Sequence, residues 1–259
     1  MEMKALCESL DGFMGKVDSI NMESHASEFF DVMLDFRVFI SKEYKEGELD
    51  EFFGSSNFAK YKAFFQQKNV LYLKGVETLE VEKTLNESNR GIDQAHIKAS
   101  YLGKKVDFSM LEQSTIRSIA IVGAGPYSET MLYSHNETDV DRVIAIDYDE
   151  KAISSAAKLA EFMKLDKLTL VHMDAREYDY ADLDTIYLTG FLYPKSEILK
   201  SIAASAKSGT QILVESCTHH LQKLVYDDFE IDEAKFKIMD VKKIVTPYHY
   251  RTVTYLTLV

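Results

Sequence analysis

Apolar residues recur at intervals of three and four through the first 112 residues. In EFFDVMLDFRVFISKEY (28–44), Phe29, Val32, Met33, Phe36, Phe39 and Ile40 fall on one stripe, the pattern of an amphipathic helix. FAKYKAFFQQ (58–67) and KNVLYLKGVETLEVEKTLNES (68–88) continue in the same style. The second carries Leu71, Leu79 and Leu85 among charges, with Glu80 one turn before Lys83 and Thr84. The aromatics of this half read as the core of a helical bundle. From Ser114 the period changes. SIAIVGAG, DRVIAID, LTLVH, TIYLT and QILVES are short β-branched runs, each followed by a helix or a turn. DEKAISSAAKLAEFMKL (149–165) is a helix, and SEILKSIAASAKSG (196–209) predicts another that stops at Gly209.

Alternating strands and helices predict a parallel sheet covered on both faces. Two last runs, KFKIMDVKKIV and YRTVTYLTL, follow without a helix and read as an antiparallel hairpin joined around Pro247. The fold class is therefore α/β: an N-terminal all-α domain over 1–112, then a Rossmann-like domain over 113–259 closed by a hairpin. Five β-α units and a terminal hairpin form the sheet pattern of class I S-adenosylmethionine (SAM) enzymes. Proline fits this division. There are three, none before Pro126, so the helical half lacks the strongest interruption of helix.

Charge and composition narrow the function classes. The chain has 259 residues, 42 acidic against 30 basic, and a formal net charge of −12. The acidic excess is shared by both halves, which excludes a basic surface for duplex nucleic acid. No run of about 18 apolar residues offers a membrane span. The acidic N-terminus lacks the apolar run of a signal peptide, and a cytoplasmic location is the expectation. Cys7 and Cys217 are far apart, supporting neither a disulfide framework nor a zinc ribbon.

Candidate chemistry gathers at the strand ends. IVGAGPYSET (121–130) follows the first strand and opens a helix. Gly123 and Gly125 permit a tight turn and close backbone approach to a ligand at a helix N-terminus. The third glycine of a GxGxxG pattern is Ser128 here, so the loop by itself is a weak signal. The second strand ends at Asp147, at the spacing of an acid that accepts from ribose hydroxyls, and the third ends in HMDA, where Asp174 can accept from an amine such as adenine N6. Three strand ends converging on one crevice point to a nucleotide. Against this, Asp147 and Asp174 acting only as helix caps requires a coincidence at each strand. An ordinary SAM methyltransferase carries an acid two residues before the first glycine; this chain has Ile121, and Pro126 stiffens the loop.

The segment IAIVGAGPYSET resembles the corresponding loop of nicotianamine synthases and of bacterial synthases of opine-type metallophores such as staphylopine. The shared features are the apolar residue in place of the acid, the GxGP core, and a small or hydroxyl residue closing the loop. YLKGVETLEVEKTL (72–85) is similar to a helical stretch of that family ending in Leu-Glu, though the tyrosine spacing differs by one. LTGFLYPKSEIL (188–199) and ILVESCTHHLQKLVY (212–226) match in arrangement more than in identity. The resemblance covers roughly residues 60–240, and only the glycine loop is specific.

It implies transfer of the 3-amino-3-carboxypropyl group of SAM to an amine of a small molecule or amino acid, with release of methylthioadenosine, as in metallophore synthesis. SAM is then a substrate. The implied catalytic residues are Glu80, as base or amine-orienting group, and Tyr127, beside the sulfonium. Gly123, Ala124, Gly125, Pro126, Asp147, Tyr148, Asp174, Ala175 and Thr189 are the expected SAM-binding set. Tyr72, Lys195 and Glu215 are expected on the acceptor side, with Lys195 at the mouth after the fourth strand. Plant members often have arginine where Glu215 stands, and an open carboxylate there favours a cationic acceptor. Each of these has a plainer alternative: Glu80 on a solvated face with Glu77 and Glu82 as equal neighbours, Tyr127 in a packing layer, Lys195 as a surface lysine. His219 and His220 point apart and no metal is expected. A homodimer is left open. The competing functions are cyclisation of SAM to azetidine-2-carboxylate, conventional small-molecule methyl transfer, a SAM-sensing module, and, last, nicotinamide binding.

Overall fold

The computed structural model describes residues 3–21, 24–42, 44, 47–86, 95–112, 115–217, 220–245 and 250–259, with backbone only for 95–100 and 250. The hairpin joint at Pro247, and His219, lie outside the described residues. The chain divides into two compact units: Met1–Leu73 with Cys217–Tyr226, and Lys74–Ser216 with Asp227–Val259. The boundary therefore falls at 73/74, inside a helix, and differs from the expected division at 112/113.

The first unit is helical. α1 (Met3–Ser19), α2 (Ala26–Ile40), the one-turn α3 (Asp50–Phe53) and the start of α4 (Ser56–Asn86) make up its regular structure. The stripe read from α2 is the buried one: Phe29, Met33, Phe36 and Ile40 are all at most 1% exposed, while Val32 and Phe39 flank them half-buried. Phe36 stacks on Phe65 of α4 with ring centroids 3.9 Å apart, an aromatic pair across two helices.

α4 is one helix of 31 residues, continuous where the sequence reads as two segments. Its second half turns a different face inward from the one its leucines predict. Leu71 and Leu79 are 41% and 54% exposed, whereas Glu80, Val81 and Thr84 are buried. The inward face is mixed: Val81 and Leu85 pack on the core of the second unit, while Glu80 and Thr84 are buried polar groups beside them.

The second unit holds α5 (Ala95–Phe108) and a seven-stranded sheet, β1 (Ser118–Val122), β2 (Arg142–Asp147), β3 (Leu168–His172), β4 (Thr185–Leu188), β5 (Gln211–Ser216), β6 (Phe236–Val245) and β7 (Tyr250–Leu258), in the order β3-β2-β1-β4-β5-β7-β6. α6 (Glu129–Glu137), α7 (Glu150–Met163) and α8 (Lys195–Ser205) connect the parallel strands. β7 runs antiparallel between β5 and β6, so the expected hairpin closes the sheet by insertion. The expected α/β class and Rossmann-like architecture are those observed. The central strands are buried throughout because helices cover both faces, which is why they read as unbroken apolar runs. One stop signal is misplaced: α8 ends at Ser205, and Gly209, at φ +85°, serves the turn into β5 instead.

Between β1 and β4 the strand order reverses, and their carboxyl ends, with that of β2 next to β1, border the crevice where such sheets take ligands.

Candidate active site

The loop after β1 is built from backbone donors. Gly123 and Gly125 adopt φ +75° and +66°, which side chains with a Cβ rarely adopt. The Gly123 and Ala124 N–H groups donate to the Ile146 carbonyl at 2.9 and 3.1 Å. Gly125 N–H donates to Asp147 Oδ2 at 2.8 Å, and Asp149 N–H donates to Oδ1 at 2.9 Å. Asp147 thus ties the glycine loop to the β2 end, and each carboxylate oxygen keeps a lone pair for a further donor. Thr189, just past β4, donates its hydroxyl to the Val122 and Gly123 carbonyls at 3.0 and 2.9 Å. A Cβ at Gly123 would stand 2.7 Å from Thr189 Oγ1. Pro126 is buried, and Ser128 caps α6 by accepting from Met131 N–H at 3.2 Å.

The inward face of α4 brings carboxylates to this loop. A methyl group at Gly125 would collide with Glu77 Oε2, so the missing side chain is what lets the acid approach. Glu77 accepts from the Tyr127 backbone N–H, yet burial first, and then the charges of Glu129 and Asp147, push its carboxyl well above the ordinary value of 4.5. Glu129, the first residue of α6, is also raised, chiefly by burial. Tyr127 is only 2% exposed and its hydroxyl bonds with Thr84. Burial raises its phenol, and the charges of Glu80 and Glu129 raise it further. Glu80, 4% exposed, is therefore no solvated surface acid. Its neighbours separate cleanly: Glu82 is exposed, while Glu77 shares the inward face.

A second cluster lies at the ends of β4, β5 and β7. Lys104 Nζ donates to Glu215 Oε1 at 2.5 Å and to the Tyr187 hydroxyl at 3.1 Å. Arg251 Nη1 donates to Glu215 Oε1 at 2.6 Å and to Asp107 Oδ2 at 2.8 Å. The Tyr187 hydroxyl lies 2.5 Å from Asp107 Oδ2 and 2.6 Å from Glu215 Oε1. All five residues are buried. Burial alone would raise the Glu215 carboxyl, but Lys104 and Arg251 overcome it and hold the group well below the usual carboxylate range. The expectation of an open carboxylate awaiting a cationic acceptor is overturned: Glu215 is already neutralised by two protein cations.

The other expected residues divide. Tyr148 follows Asp147 with its ring 67% exposed, over Lys74 Nζ at 4.8 Å. Lys74 also donates to Asp149 at 2.6 Å, which holds that carboxyl below its ordinary value and fixes the β2 end. Asp174, at the end of β3, forms an ion pair with Arg176, whose Nε lies at 3.0 Å from Oδ1. Ala175 beside it is buried and its carbonyl accepts from Tyr180. Lys195 is wholly buried; Nζ donates to the Gly190 and Leu192 carbonyls at 2.6 and 3.1 Å. That corrects the expectation of a lysine at the mouth, because its charge serves to tie the loop after β4. Tyr72 lies in the helical unit, packed near Phe30 and Arg37. His220 accepts from Gln222 N–H through Nδ1 and bonds through Nε2 to the Lys42 carbonyl at 2.8 Å, which is a structural use. Among the described residues no three His, Cys, Asp or Glu are grouped to hold a metal ion.

Sequence reasoning undervalued Glu77 and missed Glu129. The signal was present: 77, 80 and 84 share one helical face, and Glu129 follows the loop's capping serine.

This strand order, with the glycine loop after β1 and an acid ending β2, is that of the class I SAM-methyltransferase-like Rossmann fold. Comparison with solved structures places a particular neighbour beside it. A Glu-to-Gln mutant of MtNAS, a nicotianamine synthase, in complex with SAM superposes with a TM-score of 0.75 at 13% identity, covering 98% of each chain. MtNAS in complex with MTA and tNA gives 0.76 at 13% identity, over 99% of this chain and 96% of that one. The likeness is one of fold, helical unit included. No family model and no curated protein matches the sequence.

Proposed function

We propose that the protein moves the 3-amino-3-carboxypropyl group of SAM to an amine, releasing methylthioadenosine. The observation that supports this most is the burial of Glu80 beside Tyr127, at the glycine loop. An amine that attacks a carbon on the sulfonium must lose a proton, and a buried acid at the loop can take it. The full-length likeness to MtNAS, known in complex with SAM and with MTA, is in keeping with it.

In this reading Asp147 takes the ribose hydroxyls, and the Gly123–Pro126 turn gives the backbone room for the rest of SAM. Tyr148 offers an exposed ring to the adenine. The acceptor amine attacks the carbon of the aminocarboxypropyl chain that is bonded to sulfur. The C–S bond breaks, its electron pair returns to sulfur, and the sulfonium becomes a neutral thioether. The proton lost by the new ammonium goes to Glu80, while the Tyr127 hydroxyl orients the nitrogen. Selection among the three carbons on sulfur comes from in-line placement.

The test is chromatography of products from SAM with a panel of amines and amino acids. Methylthioadenosine is expected; adenosylhomocysteine as the sole nucleoside product would overturn the reading in favour of methyl transfer. Methylthioadenosine formed from SAM alone, together with azetidine-2-carboxylate, would instead favour cyclisation.

A further inference from the structure

Tyr148 stands one residue beyond the end of β2 with its ring 67% exposed, yet it is tied on both sides. Its carbonyl accepts from His172 Nε2, at the end of β3, at 3.0 Å. Asp147 before it accepts from the Gly125 and Asp149 N–H groups, and Asp149 after it caps α7 by accepting from Lys151 N–H at 2.9 Å. The Tyr148 hydroxyl accepts from Lys74 Nζ at 3.3 Å, and the same ammonium lies 4.8 Å from the ring centre. Lys74 also reaches Asp149 Oδ2 at 2.6 Å, so one cation holds both the ring and the helix cap. Met173, one residue past the partner of Asp147 on β3, is a second exposed apolar side chain at these strand ends.

Holding an exposed ring in one orientation costs side-chain entropy that burial does not offset. The cost is recovered when a flat ligand stacks on it, because the platform is already ordered when the ligand arrives. Lys74 stands on α4 one turn before Glu77 and six residues before Glu80, about 9 Å along the helix axis. We infer that Lys74 is a positioning residue for the nucleoside half of SAM: it fixes the Tyr148 ring on which the adenine stacks, from the same helix that carries Glu80. One rigid element then locates both the nucleoside and the reacting end of the substrate. This role rests on the SAM reading of the site and holds whichever carbon is transferred. A structural reading gives Lys74 one task, the ion pair with Asp149.

A double-mutant cycle separates the two, read by calorimetric titration of the full chain with SAM and with methylthioadenosine. Lys74→Met should weaken both nucleosides by the same factor, about tenfold, because the change lies at the end they share. In a Tyr148→Ala background, where the ring is gone, Lys74→Met should change either affinity by less than about twofold. Equal weakening in both backgrounds, or unchanged affinity in a folded Lys74→Met variant, would overturn the proposal. Tyr148→Phe removes only the hydroxyl that Lys74 reaches and serves if Lys74→Met fails to fold; it should weaken both nucleosides about threefold, and unchanged affinity there would overturn the proposal as well. A parent protein that binds neither nucleoside would sink the SAM reading and this role with it. Binding by the parent with indifference to Lys74 would sink this role alone.

Discussion

Two groups of carboxylates sit in the α/β unit, and they differ in how their charge is met. Asp107 and Glu215 are buried against Lys104 and Arg251, two acids with two cations, stitched through the Tyr187 hydroxyl. Glu77, Glu80, Glu129 and Asp147 surround the glycine loop, where the hydrogen bonds to Glu77 and Asp147 come from backbone N–H groups. The first group has its cations built in, and they hold Glu215 in the ionised state. In the second, burial pushes the Glu77 and Glu129 carboxyls upward, and the charges of Glu129 and Asp147 raise Glu77 further. A carboxyl held ionised by two buried cations serves the structure, whereas carboxyls raised beside the glycine loop are placed where a ligand can act on them. Burial alone does not tell them apart, since Glu80 and Glu215 are 4% and 6% exposed.

The comparison breaks most easily at Glu80. Glu80→Gln should lower turnover by about 10²–10⁴ while SAM affinity stays within about twofold, read by initial rates and calorimetry. Unchanged turnover would move Glu80 to the structural side. The opposite cut is Arg251→Met, which leaves Glu215 with one cation fewer. It should cost about 3–5 kcal/mol of stability in denaturant unfolding, the usual result of breaking a buried pair. A loss under 1 kcal/mol would show that Lys104 alone suffices. Asp147→Ala removes the acid expected to take the ribose hydroxyls and should weaken SAM binding by about 1.5–3 kcal/mol, roughly 10–150-fold. Normal SAM affinity would show that Asp147 only ties the loop.

The smallest effect is one of pH. Glu77 has a raised carboxyl in the fold and an ordinary one, 4.5, when unfolded. The folded state then binds more protons than the unfolded state above that value, so stability falls as pH rises from 4.5 through the folded value. Glu77→Gln escapes this. It should unfold at nearly the parent temperature at pH 4 and be more stable by on the order of 1 kcal/mol at pH 8. Parallel thermal curves at both pH values would show that Glu77 is not strained by its neighbours.

Much of this architecture is legible in the amino-acid order. β-branched runs with helices between them predict the sheet, and the uncovered final pair predicts the hairpin. The α2 stripe falls where its periodicity puts it. The glycine loop and Asp147 are readable because backbone geometry demands particular residues there. What escapes is set by long-range packing. Lys195 and Glu215 look like surface charges because sequence cannot show that carbonyls after β4, or Lys104 and Arg251, lie opposite them. Leu71 and Leu79 mislead for a related reason, since α4 buries the face that carries Glu80 and Thr84. Periodicity finds the apolar face of a helix, and here the inward face is mixed.

The central claim is that the three-carbon chain of SAM, and not its methyl group, is what leaves. SAM carrying carbon-13 in the methyl group and deuterium in the aminocarboxypropyl chain tests it in one mass spectrum. The account predicts deuterium in the acceptor and carbon-13 retained in methylthioadenosine. Carbon-13 in the acceptor, with deuterium retained in adenosylhomocysteine, would contradict it.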